Sequence, residues 1–87
     1  MKSSTAPRFW AALSKLPERV RRDVRAAYKQ FSEDPWYPGL DFKLVNPKRR
    51  TYSVRIGVHY RALGMRDGDE VTWYWVGKHD EYERLIS

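Results

Sequence analysis

The sequence predicts an α+β domain in which two N-terminal helices pack on a three- to four-stranded antiparallel sheet, followed by a short C-terminal helix. Three observations predict this fold class. Apolar residues recur at helical spacing up to Glu33, the period changes to two after the segment 35–39, and glycine-containing turns separate the alternating runs. The chain has 87 residues, of which 41% are hydrophobic, so we expect residues 1–87 to form a single domain around one core.

Two amphipathic helices are predicted at the start of the chain. The first follows Pro7 and places apolar residues at i, i+4 and i+7, namely Phe9, Leu13 and Leu16, with Trp10 beside them. Pro17 can begin the second helix, because the first helical residue needs no N–H donor. The apolar stripe of that helix consists of Val20, Val24, Ala27, Tyr28 and Phe31. Pro35 and Pro38 end the helix near Glu33, and we expect the two helices to form a hairpin that packs through one face.

Alternating apolar and polar residues predict the strands of an antiparallel meander. The alternation covers residues 42–44, 52–56, 60–65 and 71–76. Asp67-Gly68 is a strong hairpin signal, and Gly57-Val58 predicts a two-residue turn. The same alternation places Trp73 and Trp75 in the core with Val71, and Tyr74 on the other face of the sheet, which we expect to be open. A helix from Asp80 to Leu85 is predicted to end the chain.

Charge and composition narrow the classes of function. The net charge of +6 and a pI near 9.8 favour a polyanionic partner, either nucleic acid or an acidic protein. The absence of cysteine excludes disulfides, a thiolate nucleophile and cysteine-based metal sites, and the two histidines form no ligand motif, so we expect no metal and no cofactor. The chain begins without the apolar segment of a signal peptide and has no membrane-spanning run, which predicts a soluble cytoplasmic protein.

Two arginines are candidates for a phosphate site. Arg55 and Arg61 lie symmetrically about Val58, so a hairpin sets them opposite each other, with about 5–6 Å between their Cβ atoms. Two adjacent guanidinium groups repel unless an anion bridges them, and arginine matches phosphate oxygens in a bidentate manner. The alternative is that each arginine pairs with a carboxylate such as Glu70 or Asp80.

Other side chains complete a candidate site. His79 follows the last strand and could transfer a proton at a bound phosphate, with Tyr82 one helical turn further on and His59 as a second histidine. The alternative role for His79 is packing beside Trp75. Basic side chains that could contact a phosphate backbone are Lys43, Lys48, Arg49, Arg50 and Lys78. The basic turn at 48–50 could equally be a solvated loop.

Three segments together resemble the RelE/ParE superfamily of toxins from type II toxin–antitoxin systems. They are Tyr52–Ile56 (Tyr-Ser-Val-Arg-Ile), His59–Leu63 (His-Tyr-Arg-Ala-Leu) and Val76–Tyr82 (Val-Gly-Lys-His-Asp-Glu-Tyr). The resemblance covers approximately residues 9–86. It departs from the superfamily in the leading β-strand, which is barely visible in the short run of residues 3–6 before Pro7.

The resemblance implies a metal-independent endoribonuclease that cleaves mRNA, typically on the ribosome, and is held inactive by a cognate acidic antitoxin. It assigns Arg55 and Arg61 to the scissile phosphate, with Lys43 in support, and His79 to the leaving group. The catalytic tyrosine of some members matches Leu85, so Tyr82 is assigned only by proximity. Two alternatives remain: a ParE-like inhibitor of DNA gyrase, and a non-catalytic module that binds RNA or an antitoxin.

Overall fold

A computed structural model describes all residues, Met1–Ser87, as three α-helices and a five-stranded mixed sheet. The elements in chain order are β1 (Lys2–Thr5), α1 (Pro7–Ser14), α2 (Glu18–Glu33), β2 (Lys43–Asn46), β3 (Thr51–Ile56), β4 (Tyr60–Asp67), β5 (Glu70–Lys78) and α3 (His79–Ile86). The strand order is β1-β5-β4-β3-β2, and β2 to β5 form an antiparallel meander. The predicted α+β class, its two N-terminal helices and its short C-terminal helix are confirmed.

The fifth strand corrects the predicted strand count. β1 pairs in parallel with the first half of β5, at the edge of the sheet. Trp73 holds it there, since its Nε1–H donates to Ser3 Oγ at 2.8 Å and its carbonyl accepts from the Ala6 N–H at 2.8 Å. The strand is four residues long and has no apolar alternation, so only its long-range partner identifies it.

One face of the sheet, the helix face, carries the main core. Phe9 and Leu13 of α1 are buried there, against sheet residues that include Ile56, Ala62 and Trp73. Val20, Val24 and Phe31 of α2 belong to the same cluster. α1 packs chiefly against β5 and α2 against β3, so the two helices diverge and leave an apolar cleft of about 430 Å³ between them, the helix cleft. Trp10 and Tyr28, predicted on the apolar faces, are exposed at this cleft.

A β-bulge at Tyr74 corrects the predicted orientation of Trp75. Leu63 pairs with Trp75 whereas Gly64 pairs with Trp73, so Tyr74 is the extra residue. The bulge places Trp75 on the face opposite to Trp73, and a Cβ at Gly77 would overlap its ring. The prediction that both tryptophans share the core phase is wrong, because the bulge breaks the alternation. Tyr74, predicted on an open face of the sheet, is partly covered, since the Arg8 guanidinium lies 4.6 Å from its ring centroid.

The opposite face of the sheet, the distal face, carries Ser53, Arg55 and Arg61. It was predicted to be open, but α3 lies on it and buries Tyr82 there. The Asp67-Gly68 turn follows its sequence signal, whereas the predicted two-residue turn at Gly57-Val58 is wrong. Gly68 adopts a φ of 61° between β4 and β5, and the β3–β4 turn has three residues, 57–59, instead of two. None of the three helices combines the length and the apolar character that a membrane crossing requires.

Candidate functional site

The candidate site lies at one corner of the distal face. Arg55, Arg61 and Gly77 form a row across β3, β4 and β5, as the register of the three strands shows. The predicted pairing of the two arginines is therefore confirmed for the backbone. The turn at 57–59 ends the hairpin beside this row, and the His79 N–H donates to the His59 carbonyl at 2.9 Å. This hydrogen bond brings the start of α3 and both histidines to the same corner.

Arg61 was predicted to lie on an open face of the sheet, but its side chain is buried. It is only 5% exposed, and its Nη2 donates to the Asp41 carboxylate. Its Nη1 donates to Ser53 Oγ at 3.3 Å and to the Asp41 carbonyl at 3.4 Å, and its Cζ lies 5.4 Å from the centre of the Tyr82 ring. Arg61 therefore forms an ion pair with a carboxylate, as the alternative interpretation stated. The partner is Asp41, and neither Glu70 nor Asp80.

Asp41 is the site residue that sequence reasoning missed. It follows the 3-10 turn Pro38–Leu40 and adopts a left-handed conformation with φ 48°, which aspartate tolerates better than most residues. Lys43 Nζ lies 3.3 Å from Asp41 Oδ2. The hydrogen bond from Arg61 is the main reason that the pKa of Asp41 lies below its usual range, and the hydrogen bond from Lys43 lowers it further. Asp41 is therefore ionised at neutral pH and neutralises Arg61.

The sequence held a signal for Asp41. Residues 41 and 43 share a phase on either side of buried Phe42, so they project away from the core. Lys43 pairs with Ser53 in the β2–β3 ladder, which places this phase on the distal face. A carboxylate in the same phase as a predicted phosphate site is a candidate partner for its arginines.

Arg55 differs from its neighbour on β4. Its side chain is exposed, and it belongs to none of the ion pairs in the molecule. The two arginines of the row are thus unequal: Arg55 is free to meet an anion from solvent, and Arg61 is already paired.

His79 is the first residue of α3 and is partly exposed. Its Nδ1 lies 3.0 Å from Glu83 Oε1, one turn along the helix. Its ring centroid is 5.3 Å from that of Tyr82, so it packs near Tyr82. Tyr82 itself is 4% exposed, and its hydroxyl lies 3.3 Å from Ser53 Oγ. The hydroxyl of Tyr82 is therefore covered by α3, whereas the imidazole of His79 is accessible.

The remaining basic residues lie away from this corner. The turn Pro47–Arg49 precedes β3, at the end opposite to Arg55, which is about 13 Å along the strand. Arg50 there forms an exposed ion pair with Asp67 at 3.5 Å. Lys78 pairs with Tyr60 in the β4–β5 ladder and so lies in the phase of the helix face. The structure brings Lys43 to the Asp41 carboxylate that pairs with Arg61. It separates Lys48, Arg49 and Arg50 from the arginines along β3, and it places Lys78 in the phase of the other face of the sheet.

A groove of about 920 Å³ runs along the distal face between α1 and α3. Its lining includes Trp75 and Leu63, which the bulge turns to this face, and three basic residues, Arg8, Lys15 and Arg49. No group of three histidine or carboxylate side chains is arranged to hold a metal ion. Of the basic turn, Arg49 alone lines this groove, and Glu81 of α3 adds one carboxylate to the lining.

Known proteins share this fold. The ParE-like toxin domain family matches residues 18–84, which is most of the chain, and the chain belongs to this family. The resemblance to the RelE/ParE superfamily is confirmed, and the protein is a toxin of that type. No curated protein sequence matches the chain.

Two solved structures are similar over almost their whole length. One is the RelB-RelE antitoxin–toxin complex from Methanococcus jannaschii, with a TM-score of 0.75 and 18% identity over 97% of this chain and 99% of that chain. The other is a copper-bound mutant toxin from Helicobacter pylori, with a TM-score of 0.62 and 16% identity over 93% of this chain and 97% of that chain. At these identities the likeness is one of fold.

Proposed function

We propose that this toxin is a metal-independent endoribonuclease that cleaves mRNA, on the ribosome, and that an acidic antitoxin holds it inactive. The observation that supports the reaction is the corner of the distal face, where unpaired Arg55 lies in register with Arg61, and where the backbone of His79, whose side chain pairs with Glu83, is hydrogen-bonded to the turn that joins the two arginine strands. The corner combines the unpaired guanidinium of Arg55, the guanidinium of Arg61 paired with Asp41, and the accessible imidazole of His79. An mRNA substrate on the ribosome implies that the toxin acts in the cytoplasm, and this location is part of the proposal.

The proposed reaction is transesterification within the RNA backbone. The ribose 2′-oxygen attacks the adjacent phosphorus and the bond to the 5′-oxygen breaks, which leaves a 2′,3′-cyclic phosphate and a 5′-hydroxyl. Arg55, with Lys43 in support, stabilises the negative charge that grows on the phosphoryl oxygens. Glu83 holds Nδ1 of His79, so the imidazolium can deliver a proton from Nε2 to the leaving 5′-oxygen. His59 at the same corner, or a water molecule, accepts the proton of the 2′-hydroxyl.

The substitution His79→Gln tests this function directly. We expect single-turnover cleavage of a short RNA, measured with and without ribosomes, to slow by about 10²–10⁴-fold, because proton transfer to the leaving group is lost. Binding of the same RNA with 2′-O-methyl groups, which cannot be cleaved, should not change. Arg84→Gln, an exposed change on the same helix, is the control. An unchanged cleavage rate in His79→Gln removes His79 from the mechanism, and wild-type protein that yields no cyclic phosphate contradicts the ribonuclease function.

A second candidate function is inhibition of DNA gyrase. The observation that favours it is the burial of Arg61 and Tyr82, two of the four residues expected at a ribonuclease centre. A gyrase supercoiling assay separates the two functions. If the target is gyrase, the wild type and His79→Gln should inhibit supercoiling equally and neither should cleave RNA.

The helix cleft supports an acidic antitoxin as the partner. Trp10 is 56% exposed and Tyr28 is 49% exposed at its mouth, and Val54 and Ile56 of the sheet lie at its floor. Arg25 and Lys29 are the only charged residues in its lining, and neither forms an ion pair. An exposed apolar cleft with basic edges fits an amphipathic segment that carries acidic residues beside its apolar anchors.

A further inference from the structure

We propose that the Asp41 carboxylate occupies a phosphate-binding site formed by Arg61 and Lys43, and that a backbone phosphate of the nucleic acid displaces it on binding. The ligand class is the phosphodiester of a single-stranded nucleic acid. The inference rests on the proposed action on RNA, but it concerns binding and is tested without cleavage.

The contacts of Asp41 are those that a phosphate would make. Its Oδ2 receives Nη2 of Arg61 and lies 3.3 Å from Nζ of Lys43, so one anionic oxygen bridges a guanidinium and an ammonium group. Arginine binds carboxylate and phosphate oxygens with the same planar set of donors. A phosphate at this position would replace the carboxylate on both cations.

The Asp41 carboxylate lies between the buried Arg61 guanidinium and solvent. The Arg61 side chain is 7% exposed and the Asp41 side chain is 33% exposed, so Asp41 is the more accessible partner. Arg61 is held from its other sides by Ser53 Oγ and the Tyr82 ring, neither of which carries charge. Removing the carboxylate therefore exposes a guanidinium that is already fixed in place.

The exchange needs only a side-chain rotation. Leu40 and Phe42 flank Asp41 and are buried in the core, which fixes the backbone on both sides. Rotation of the Asp41 side chain toward solvent leaves Arg61 and Lys43 without their anion, and Arg55 is opposite Arg61 on the neighbouring strand. Arg61 and Lys43 then face one vacated position, and their mutual repulsion favours an incoming phosphate.

The substitution Asp41→Asn tests the proposal, because it removes the competing charge and preserves the size of the side chain. The probe is a fluorescent 12-nucleotide 2′-O-methyl RNA, whose binding is measured by anisotropy between 50 and 200 mM salt. We expect the affinity of Asp41→Asn to rise about tenfold at each salt concentration, because the phosphate no longer has to displace a carboxylate, while the slope of log K against log salt stays close to that of the wild type, since both complexes contain the same phosphate contacts. The double variant Asp41→Asn/Arg61→Gln should lose this gain.

Asp67→Asn is the matched control, since it makes the same change in net charge and releases Arg50 from an exposed ion pair. An equal gain in Asp67→Asn overturns the proposal, because the effect would then be one of net charge. A DNA oligonucleotide of the same sequence should gain as much as the RNA, and a gain confined to RNA contradicts recognition of the phosphate. If the wild type does not cleave RNA but Asp41→Asn still gains affinity, the ribonuclease function fails and the proposal on Asp41 stands.

A measurement on the wild-type protein covers the case in which Asp41→Asn does not fold. The NMR signals of the Asp41 carboxyl carbon and the Arg61 Nε–H group should shift together as the 2′-O-methyl RNA is added. Signals that stay in place at saturating RNA show that the carboxylate is not displaced, and this overturns the proposal.

Discussion

Arg55 and Arg61 show how two identical side chains at paired positions acquire different roles. The register makes them neighbours, yet Arg61 is buried under Tyr82 and neutralised by Asp41, whereas Arg55 is exposed and unpaired. A buried guanidinium is tolerated only with an anionic partner and filled hydrogen bonds, and Asp41 and Ser53 supply both. Arg61 therefore contributes to the fold whatever it contributes to a substrate.

Arg61→Ala should destabilise the protein by about 2–4 kcal/mol, because it leaves Asp41 without its main partner and a space beneath Tyr82. Arg55→Ala should change stability by no more than about 0.5 kcal/mol, since its side chain is exposed and unpaired. Urea denaturation followed by tryptophan fluorescence measures both values. Equal stability of the two variants would contradict the structural role of Arg61.

The pH dependence of stability should report on Asp41. Its pKa is lower in the folded protein because Arg61 and Lys43 hydrogen-bond to the ionised form. The contribution of the ion pair is therefore complete above the unfolded-state pKa of about 3.9 and is lost as the pH falls through the folded-state pKa. The stability difference between wild type and Asp41→Asn should stay constant from pH 7 to pH 5 and shrink below about pH 4. A difference that disappears near neutral pH would exclude this origin.

At the scale of secondary structure elements, the sequence predicted what local signals specify. Helical periodicity and prolines located α2 to its last residue, Glu33, and Asp67-Gly68 located the last hairpin. β1 was missed because a short parallel edge strand depends on β5, which lies far along the chain. The bulge at Tyr74 was missed because an inserted residue leaves the apparent alternation intact while it reverses Trp75.

The candidate site could likewise be predicted only where local sequence signals specify it. The opposition of Arg55 and Arg61 follows from local hairpin symmetry and is confirmed. The burial of Arg61 depends on Asp41, 20 residues away, and on Tyr82 of α3. Local alternation can place Asp41 on the same face as Arg61, but it specifies neither contact. Pairings between distant segments decide whether a polar residue is covered, so the face of the sheet was predicted correctly, whereas the prediction that this face is open was wrong.

The helix α3 is attached mainly through one side chain. Tyr82 is its only buried residue, and Leu85 is 53% exposed. We expect the backbone amides of α3 to exchange with solvent faster than those of β4, which is paired on both sides. Tyr82→Ala should accelerate exchange in α3 by more than tenfold, because the main apolar contact is lost, and leave β4 much less affected.

Tyr82→Phe separates packing from hydrogen bonding. It removes only the 3.3 Å contact with Ser53, which is worth about 1 kcal/mol, so α3 should stay protected. Hydrogen exchange measured by mass spectrometry on both variants gives the comparison. Equal acceleration in Tyr82→Phe and Tyr82→Ala would show that the hydroxyl, and not the ring, holds the helix.

Across the whole molecule, the two candidate surfaces lie on opposite faces of one sheet. The helix cleft opens between α1 and α2 on the helix face, and the corner with Arg55 and His79 lies on the distal face. The sheet separates the two surfaces, and both of its faces carry buried side chains: Val54 of β3 on the helix face and Leu63 of β4 on the distal face. Substitutions at one surface therefore leave the other intact, and toxicity and neutralisation become separable properties.

This separation predicts two classes of variant in a growth assay. Expression of the wild type should arrest growth, and co-expression of an acidic antitoxin encoded beside the toxin gene should relieve the arrest. Trp10→Glu with Tyr28→Glu should remain toxic but escape neutralisation, because two new negative charges at the helix cleft repel an acidic segment and remove its apolar contacts. Arg55→Ala with His79→Gln should lose toxicity yet still bind the antitoxin with unchanged affinity in pull-down and calorimetry. Normal growth during soluble expression of the wild type would contradict the toxin function, and neutralisation of the cleft variant would place the antitoxin on another surface.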